Sequence, residues 1–397
     1  MPGVASQGPM TTSEGALIQA EHEDNLNIRE LMALAVRGLV QMFDGESQLF
    51  CFRLKRTEHG LVREGISHRY TMISLLGLQQ LENKGFPSPI SVKASLETLL
   101  KNTNWINNLG DLGLLLWLCA LAAPERLAAI CSNLDVNRAL SRYRDAREGR
   151  TMGLAWFLSG LAHETLAQPE KLAGRIDLAM KTYELLKKNQ GDGGIFGHLA
   201  RRGTFIGVVR GRIGSFADQV YPIYALTKFA QAFCSEEAQE RALSCSRAIC
   251  RAQGPLGQWW WHYDSTTGRV VGRYPVYAVH QDGMTPMALL ALGEITGRDF
   301  NGPVHKGLLW IAGKNELGTD LRDTSAGVIW RCIHLKDQYK MYLDDLLSFR
   351  KAPIDGEQPR DLTIRFECRP YHFGWLLYAF AGISEMKPNV VTGRMSA

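Results

Sequence analysis

The sequence lacks three features that would each have assigned the protein to a class. Its longest apolar run, Leu112 to Ala123, is too short to cross a bilayer and is typical of a buried helix. It has no block of five or more like charges, and 45 basic against 40 acidic residues leave a net charge of only +5. The alternation of apolar and polar residues that is typical of β-strands is nearly absent. We therefore expect a globular, helical protein with no nucleic-acid partner, for which a peripheral membrane contact stays open.

Disulfide and secretion signals are also absent. The eight cysteines are scattered, without C-x-x-C pairs or the dense spacing of a disulfide scaffold, which favours a cytoplasmic location. The first 25 residues have neither a basic nor an apolar signal-peptide region. We expect a polar leader at 1–25, one domain at 26–386 and a flexible tail at 387–397.

What the sequence does contain is helical periodicity of two kinds. Segments with a charged face lie at 92–101, 169–189, 235–252 and 304–314. They alternate with segments that are apolar on almost every side, at 69–81, 111–122, 152–162, 220–233, 284–292 and 371–381, with a less regular one at 323–333. A helix that is apolar all round must be surrounded by protein. The pattern predicts an all-α fold, a single (α/α) toroid of six or seven helical hairpins.

Two of the inner segments begin alike, with "DQVYPIYAL" from Asp218 and "DGMTPMALL" from Asp282. An aspartate in the first turn is favoured by the helix dipole and the unpaired backbone donors there, so helix capping is one interpretation. In a toroid, however, the same turns surround one end of the central cavity. The two aspartates are therefore candidates for function as well.

The turns that join outer to inner segments repeat too. "NQGDGGIFGHL" and "AQGPLGQWWWHY" both contain a glutamine, a glycine-rich turn and an aromatic residue. Gln253 to Trp259 fits the pattern Q-x-x-x-G-x-W, and Gln190 to Phe196 is a degenerate copy. This pattern resembles the repeat of squalene and hopene cyclases, whose toroid is similar to that of protein prenyltransferase β subunits. The resemblance implies an α/α toroid and an apolar, isoprenoid-derived small-molecule substrate.

The acid motif of these cyclases is incomplete. Cyclases that start by protonation resemble one another in a D-x-D-D-T-A type motif, whose middle aspartate donates the proton. Here "TDLRDTSAG" places Asp320 and Asp323 in register but has Arg322 at the acid position. Arginine stays charged and cannot protonate an alkene. Asp323 or another carboxylate would have to take over that role.

The zinc set of the prenyltransferases is incomplete as well. In that family an aspartate, a cysteine two residues later and a distant histidine hold the metal. Asp323 and His372 match the first and the last, but Ser325 stands where the thiolate is needed. No other group of three or four ligands has metal-site spacing. We expect no metal and no cofactor.

The densest group of reactive side chains is the connection "WWWHYDSTTGRVVGRYPVYAVHQD", which runs from Trp259 to Asp282. Long loops rich in aromatic and titratable residues often carry function. The alternative is that the tryptophans only cover the end of the barrel. Trp259 ends the repeated turn and is expected to be structural, whereas residues 260–264 have no counterpart in the other copy of the turn.

Two chemistries suit a cavity lined by this connection. Aromatic faces around a polyene would stabilise carbocation charge, as the resemblance implies. Alternatively, the tryptophans would stack on sugar rings while polar groups perform the acid–base steps of a polysaccharide lyase or a glycoside hydrolase. A third possibility is a non-catalytic module that binds an isoprenoid or a peptide.

The cyclase resemblance leads to the main hypothesis, a metal-independent, acid-initiated cyclisation or rearrangement in the barrel cavity. Asp282 is the expected acid, Asp323 its alternative, and His280 would orient the acid. The expected substrate contacts are Trp259, Trp260, Trp261, His262, Tyr274, Tyr277, Asp218, Tyr221, Arg69, Tyr371 and His372.

Overall fold

The computed structural model describes residues 26–200, 211–336 and 361–383. The expected leader, the tail from 387 and most of the 200–214 connection lie outside these ranges. The described residues form fourteen α-helices: α1 Ile28–Met42, α2 His68–Asn83, α3 Val92–Lys101, α4 Leu109–Ala122, α5 Leu127–Asn133, α6 Ala139–Arg142, α7 Arg144–Glu148, α8 Thr151–Ala167, α9 Ile176–Lys187, α10 Ala217–Phe233, α11 Glu236–Arg251, α12 Thr285–Thr296, α13 Asn301–Ile311 and α14 Pro370–Phe380.

Six of these helices form a closed inner ring. Helices α2, α4, α8, α10, α12 and α14 pack side by side in that order, and α14 packs against α2 to close the ring. Helices α1, α3, α9, α11 and α13 lie outside them with one buried face each. The predicted (α/α) toroid is confirmed, with six inner helices in the described ranges. No described helix combines the length and the hydrophobicity that crossing a membrane requires.

Glycines let neighbouring inner helices approach closely. A methyl group on Gly113 of α4 would collide with the backbone at Phe157 of α8, and one on Gly160 of α8 would collide with the carbonyl of Gly113. Helices α2 and α14 meet in the same way, because a Cβ on Gly374 would lie 2.5 Å from the carbonyl oxygen of Ile73. Contacts this close bring the backbones together and leave a narrow barrel axis.

Short strands, which the sequence did not predict, occupy the connections: β1 Phe43–Asp44, β2 Leu49–Thr57, β3 Gly60–Ile66, β4 Ile213–Ser215, β5 His262–Asp264, β6 Val270–Gly272, β7 Val276–Tyr277, β8 Arg322–Asp323, β9 Val328–Ile329, β10 Cys332–Leu335, β11 Leu362–Arg365 and β12 Glu367–Cys368. They form four small antiparallel sheets. In the first sheet, β2 pairs with β1, β3 and β12. The second sheet has the order β11-β10-β7, the third has the order β4-β5-β6, and the fourth pairs β8 with β9. Strands β3, β4, β7 and β12 each end within three residues of an inner helical segment. These four strands therefore lead directly into inner helical segments at one end of the ring.

The irregular segment at 323–333 is not an inner helix, and that prediction was wrong. Asp323 and Val328 pair across the β8–β9 hairpin, and β10 follows at Cys332. The sequence between Asp323 and Val328, "TSAG", places a glycine at a left-handed backbone position, since Gly327 has φ 69°. A glycine at such a position favours a turn over a continuing helix.

The two glutamine-containing turns have the same hydrogen-bond pattern. The amide Nε2 of Gln190 donates to the carbonyls of Gly194 and of Arg241 in α11, both at 3.0 Å. The amide Nε2 of Gln253 likewise donates to the carbonyl of Gly257 at 3.0 Å and to that of Pro303 in α13 at 2.9 Å. Each glutamine thus closes its own turn and fastens it to the next outer helix.

We expect Gly374→Ala to destabilise the protein by about 1–3 kcal/mol, because the added methyl group would force α14 away from α2. Chemical denaturation of the purified variant measures this loss. Gly302→Ala is the matched control, since a Cβ on that helical glycine of α13 meets no atom within 4 Å. Equal stability of the two variants would contradict the close packing of the inner ring.

Candidate active site at the mouth of the barrel

The N-terminal ends of the six inner helices open at the same end of the ring, which we call the mouth. Its first-turn side chains come from each helix in turn: His68, Arg69 and Tyr70 from α2, Asp111 from α4, Thr151 from α8, Asp218 and Tyr221 from α10, His280 and Asp282 from the single π-helical turn His280–Met284 that precedes α12, and Tyr371 and His372 from α14. Backbone donors without intrahelical partners also point this way, so the mouth favours negatively charged groups.

Asp111 lies at the edge of an open cavity. Its Oδ1 accepts a 2.6 Å hydrogen bond from Arg69 Nε, and its Oδ2 accepts one of 2.5 Å from Asn108 Nδ2. Asn108 also caps α4, because its Oδ1 accepts from the backbone N–H of Asp111. The cavity has a volume of about 320 Å³ and is lined by Phe52, Ile66, Ser67, His68, Arg69, Tyr70, Trp105, Asn107 and Asp111.

Aromatic rings form one wall of this cavity. Tyr70 packs against Tyr371 with ring centres 4.6 Å apart, and Phe52, 40% exposed, stacks on Tyr70 at 5.4 Å. His68 stacks on Trp105 at 5.0 Å with the planes 7° apart. Burial of the His68 ring lowers its pKa, against the opposing effect of Asp111. The wall therefore presents partly exposed ring faces beside a carboxylate.

A second aromatic group faces the mouth from the π-helical side. The ring of Trp261 lies 4.9 Å from Tyr277 and 5.9 Å from His280, parallel to His280 within 11°. The guanidinium of Arg331 lies 5.2 Å from the centre of the Tyr277 ring. Burial lowers the pKa of His280 to about 3, although its hydrogen bond to the backbone of Trp259 opposes this shift. His280 is therefore neutral near pH 7.

An arginine cluster lies between the two aromatic groups. Glu367, on β12, forms ion pairs with Arg53 at 2.9 Å, with Arg369 at 3.1 Å and with Arg331. Burial of Glu367 raises its pKa, but the charges of Arg331 and Arg369 outweigh burial and bring it to about 2. Arg369 also covers the ring of Phe52 at 4.0 Å. Because Arg53 also pairs with Glu64, three arginines and two carboxylates leave the cluster with one excess positive charge.

Asp282 and His372 form a buried pair below the mouth. His372 Nε2 contacts Asp282 Oδ1 at 2.7 Å and Oδ2 at 2.9 Å, and Asp282 is 0% exposed. Burial raises the pKa of Asp282, while the charge of His372 opposes the rise. The pair joins the π-helical turn to α14. It reaches neither bulk solvent nor the cavity beside Asp111.

Stacked rings fill the barrel axis beneath these groups. Trp117 stacks on His163 at 5.0 Å and on Tyr224 at 4.7 Å, and it contacts Trp375 at 5.5 Å. The hydroxyls of Tyr224 and Tyr378 lie 2.6 Å apart, and His163 Nε2 lies 2.8 Å from the Tyr224 hydroxyl. These side chains come from α4, α8, α10 and α14. A packed axis leaves the mouth as the place where a ligand would meet the inner helices.

The long connection divides into a structural part and a part at the mouth. Trp259 is fully buried against Phe216, and Trp260 packs against Tyr274 at 6.2 Å. The hydroxyl of Tyr274 donates to Glu316 at 2.8 Å, which also accepts from Gln258 and Trp310. His262 lies on β5 and pairs with Ser215 of β4. Trp261 and Tyr277 therefore reach the mouth, whereas Trp259, Trp260 and Tyr274 fasten the connection to α13.

The other predicted residues divide in the same way. Arg69, Asp218, Tyr221 and Tyr371 lie at the mouth, whereas His372 is buried below it against Asp282. Tyr221 accepts a hydrogen bond from Trp375 Nε1 at 3.0 Å, so its hydroxyl is directed into the barrel.

Asp323 does not begin an inner helix. It pairs with Arg56 at 2.8 Å, and although partial burial raises its pKa, hydrogen bonds from Ser325 and Ala326 and the charge of Arg56 lower it overall. An ionised carboxylate in an outer hairpin does not suit the role of an acid.

Sequence reasoning missed Asp111, Tyr70, His68, Trp105 and Arg331. The argument used for Asp218 and Asp282 applies equally to Asp111, because Asp111 also lies in the first turn of an apolar segment. No group of three His, Cys, Asp or Glu side chains that could hold a metal ion occurs in the described ranges.

No protein-family model matches the sequence, and no curated protein matches it either. Solved structures do share the fold. A possible member of the GH105 family from Klebsiella pneumoniae is 12% identical, covers 95% of this chain and 94% of its own, and has a TM-score of 0.57. A glycosyl hydrolase of family 88 from Bacteroides vulgatus is 12% identical over 90% of this chain and 98% of its own, with a TM-score of 0.56. An unsaturated glucuronyl hydrolase from Bacillus sp. GL1 is 14% identical over 88% and 93%, with a TM-score of 0.52.

These comparisons overturn the resemblance to terpenoid cyclases and prenyltransferases. The three solved structures named above match this toroid along nearly its whole length, and they are described as a possible GH105 member, a glycosyl hydrolase of family 88 and an unsaturated glucuronyl hydrolase. The expected cyclisation, its isoprenoid-derived substrate and the assignment of the glutamine-containing turns as a cyclase repeat were therefore wrong. The turns reflect how neighbouring helices are fastened in the toroid.

His280 allows a test of the burial at the mouth. Its folded-state pKa of about 3 lies below the ordinary value of 6.5, so between these values the unfolded chain binds a proton that the folded chain does not. Stability should therefore fall as the pH drops below 6.5, by about 2 kcal/mol at pH 5. We expect urea denaturation at pH 7 and pH 5 to show a smaller pH dependence in His280→Gln. His59→Gln, in the exposed β2–β3 turn, should keep the full dependence. An unchanged pH dependence in His280→Gln would contradict the burial of a neutral histidine.

Proposed function

We propose that this protein is a glycan-active enzyme that cleaves a glycosidic bond of an oligosaccharide at the mouth of the barrel. The observation that carries the proposal is the set of partly exposed ring faces around a carboxylate. Tyr70, Tyr371 and Trp105 lie on one side, and Trp261 and Tyr277 lie on the other. Sugars have apolar ring faces that stack on aromatic side chains and hydroxyls that need polar partners. The fold shared with glycoside hydrolases also supports the proposal.

Asp111 is the carboxylate that we assign to the reaction. It lines the cavity, and Arg69 and Asn108 each hold one of its oxygens. A carboxylate held in this way suits the role of a general base or a nucleophile at the anomeric carbon, and both roles occur in glycoside hydrolysis.

Asp282 takes a positioning role in this proposal. Because it is fully buried and both its oxygens face His372, it is not placed to touch a sugar. Its contact fixes the π-helical turn against α14, and this turn carries His280 beneath Trp261. Asp282 would therefore support the aromatic wall and take no direct part in the chemistry.

The arginine cluster supports an acidic sugar as the substrate. Within the described residues, the buried Nε atoms of Arg331 and Arg369 have no hydrogen-bond partner. A sugar carboxylate would satisfy such a donor and the excess positive charge together, because guanidinium groups bind carboxylates with paired hydrogen bonds. Two solved structures with this fold are unsaturated glucuronyl hydrolases, one of them described as specific for heparin. We therefore propose uronic-acid-containing oligosaccharides as the substrate class.

We expect Asp111→Asn to lower kcat for glycosidic cleavage by about 100-fold or more, since the amide can neither accept a proton nor attack. The assay measures new reducing ends in a panel of acidic and neutral oligosaccharides. It also follows ultraviolet absorbance, which an unsaturated product of elimination would raise and a hydrolysis product would not. Asp177→Asn, in the exposed first turn of the outer helix α9, should leave kcat unchanged. Undiminished turnover in Asp111→Asn would contradict the assignment.

We expect Arg331→Gln to raise KM for acidic oligosaccharides by about tenfold or more, with little change for neutral ones, because it removes a charge-assisted contact to the sugar carboxylate. Arg247→Gln is the control, since it removes the same charge from an exposed ion pair on α11. An equal loss for acidic and neutral substrates would contradict recognition of a carboxylate by Arg331.

A further inference from the structure

The first turn of α4 is held by an aspartate from another helix. Asp145 lies in α7, and both of its carboxylate oxygens accept the backbone N–H of Leu109, the first residue of α4, at 3.1 Å. An N–H in the first turn of a helix has no acceptor within that helix, so a side-chain oxygen there satisfies an otherwise unpaired donor. Asp145 is not part of the cavity lining, so it lies behind Asp111 and not beside a bound sugar.

A glycine in the first turn of α8 makes room for this carboxylate. A Cβ on Gly153 would lie 2.6 Å from Asp145 Oδ2, whereas the next atoms that it meets are Asp145 Cγ at 3.5 Å and the backbone nitrogen of Gly110 at 3.8 Å. A methyl group at Gly153 would therefore collide with the Asp145 carboxylate and with nothing else. The Asp145 side chain thus lies between the first turns of α4 and α8.

Asn108 connects this contact to Asp111. The N–H that Asp145 accepts belongs to the peptide group that joins Asn108 to Leu109. The side chain of Asn108 contacts Asp111 twice, since its Oδ1 accepts from the backbone N–H at 2.9 Å and its Nδ2 donates to Asp111 Oδ2 at 2.5 Å. A continuous series of hydrogen bonds, joined by one peptide group, therefore runs from Asp145 to the carboxylate of Asp111.

We propose that Asp145 is a positioning residue for Asp111, an inference that rests on the proposed glycosidase function. By fixing the peptide group before Leu109, it sets the direction of the Asn108 side chain and so the place of Asp111 Oδ2. A displacement of about 1 Å in a reacting group can lower a rate by about 100-fold. Arg331 and the aromatic rings on α2 and α14 belong to other parts of the chain, so substrate binding does not depend on this peptide group.

The test measures kcat and KM of the full chain on the oligosaccharide that the panel selects. We expect Asp145→Ala to lower kcat by about tenfold or more and to change KM by about threefold or less, because Asp111 is displaced while the substrate contacts remain. Asp145→Asn keeps an oxygen that can accept the Leu109 N–H, so its kcat should stay within about threefold of that of the unaltered protein. Gly153→Ala, which displaces the carboxylate without removing it, should lower kcat as Asp145→Ala does.

Two controls match these variants away from the mouth. Ser235 Oγ accepts the N–H of Ala238 in the first turn of the outer helix α11, which begins where α10 ends, opposite the mouth. Ser235→Ala should lower the urea midpoint as Asp145→Ala does, since each leaves a first-turn donor unpaired, but it should keep kcat unchanged. Gly302→Ala is the control for Gly153→Ala, because its methyl group meets no atom within 4 Å.

The outcomes separate this inference from the function on which it rests. A fall in kcat alone for Asp145→Ala and Gly153→Ala, with kcat retained in Asp145→Asn, supports the positioning role. An equal fall in Asp145→Asn and Asp145→Ala, a rise in KM as large as the fall in kcat, or variants no slower than their controls overturn that role while the glycosidase proposal stands. If the unaltered protein cleaves no oligosaccharide of the panel, the proposed function fails and the inference fails with it.

Discussion

The structure depends on the enclosure of six helices that are apolar on nearly every side. Such helices are stable only when protein surrounds them, and the closed ring with its outer layer meets this requirement. Glycines at Gly113, Gly160 and Gly374 bring the inner backbones close together, and rings stacked on Trp117 fill the axis. Polar chemistry is then confined to the first turns of the inner helices and to the strands that precede them. This constraint explains why charged and titratable side chains gather at the mouth.

Apolar periodicity was enough to predict the ring, because each inner helix carries its burial pattern in its own sequence. The segment at 323–333 has a similar apolar content but forms a hairpin, in which Gly327 adopts a left-handed conformation that the hydrophobic pattern does not encode. Arg331 lies within this misassigned segment. The sequence could not reveal that it covers Tyr277, because that contact depends on the pairing of β10 with β7.

The candidate site was partly predictable for the same reason. First-turn residues of inner helices could be named from the sequence, and Asp218, Arg69 and Tyr371 do lie at the mouth. The depth of a residue along the axis could not be deduced, so the sequence did not show that Asp282 is buried against His372 or that Asp111 lines a cavity. The turns at Gln190 and Gln253 were misinterpreted for a related reason. Their shared hydrogen bonds fasten helices, and such a motif indicates architecture without indicating chemistry.

The central claim is that the mouth binds an acidic oligosaccharide between two aromatic walls. A crystal structure with a thio-linked uronic-acid oligosaccharide, which the protein cannot cleave, tests this most directly. We expect one sugar ring to contact Tyr70 or Tyr371, the next to lie towards Trp261, and the sugar carboxylate to contact Arg331, with the linking sulfur beside Asp111. An oligosaccharide bound elsewhere on the protein, with the mouth empty at saturating concentration, would contradict the claim.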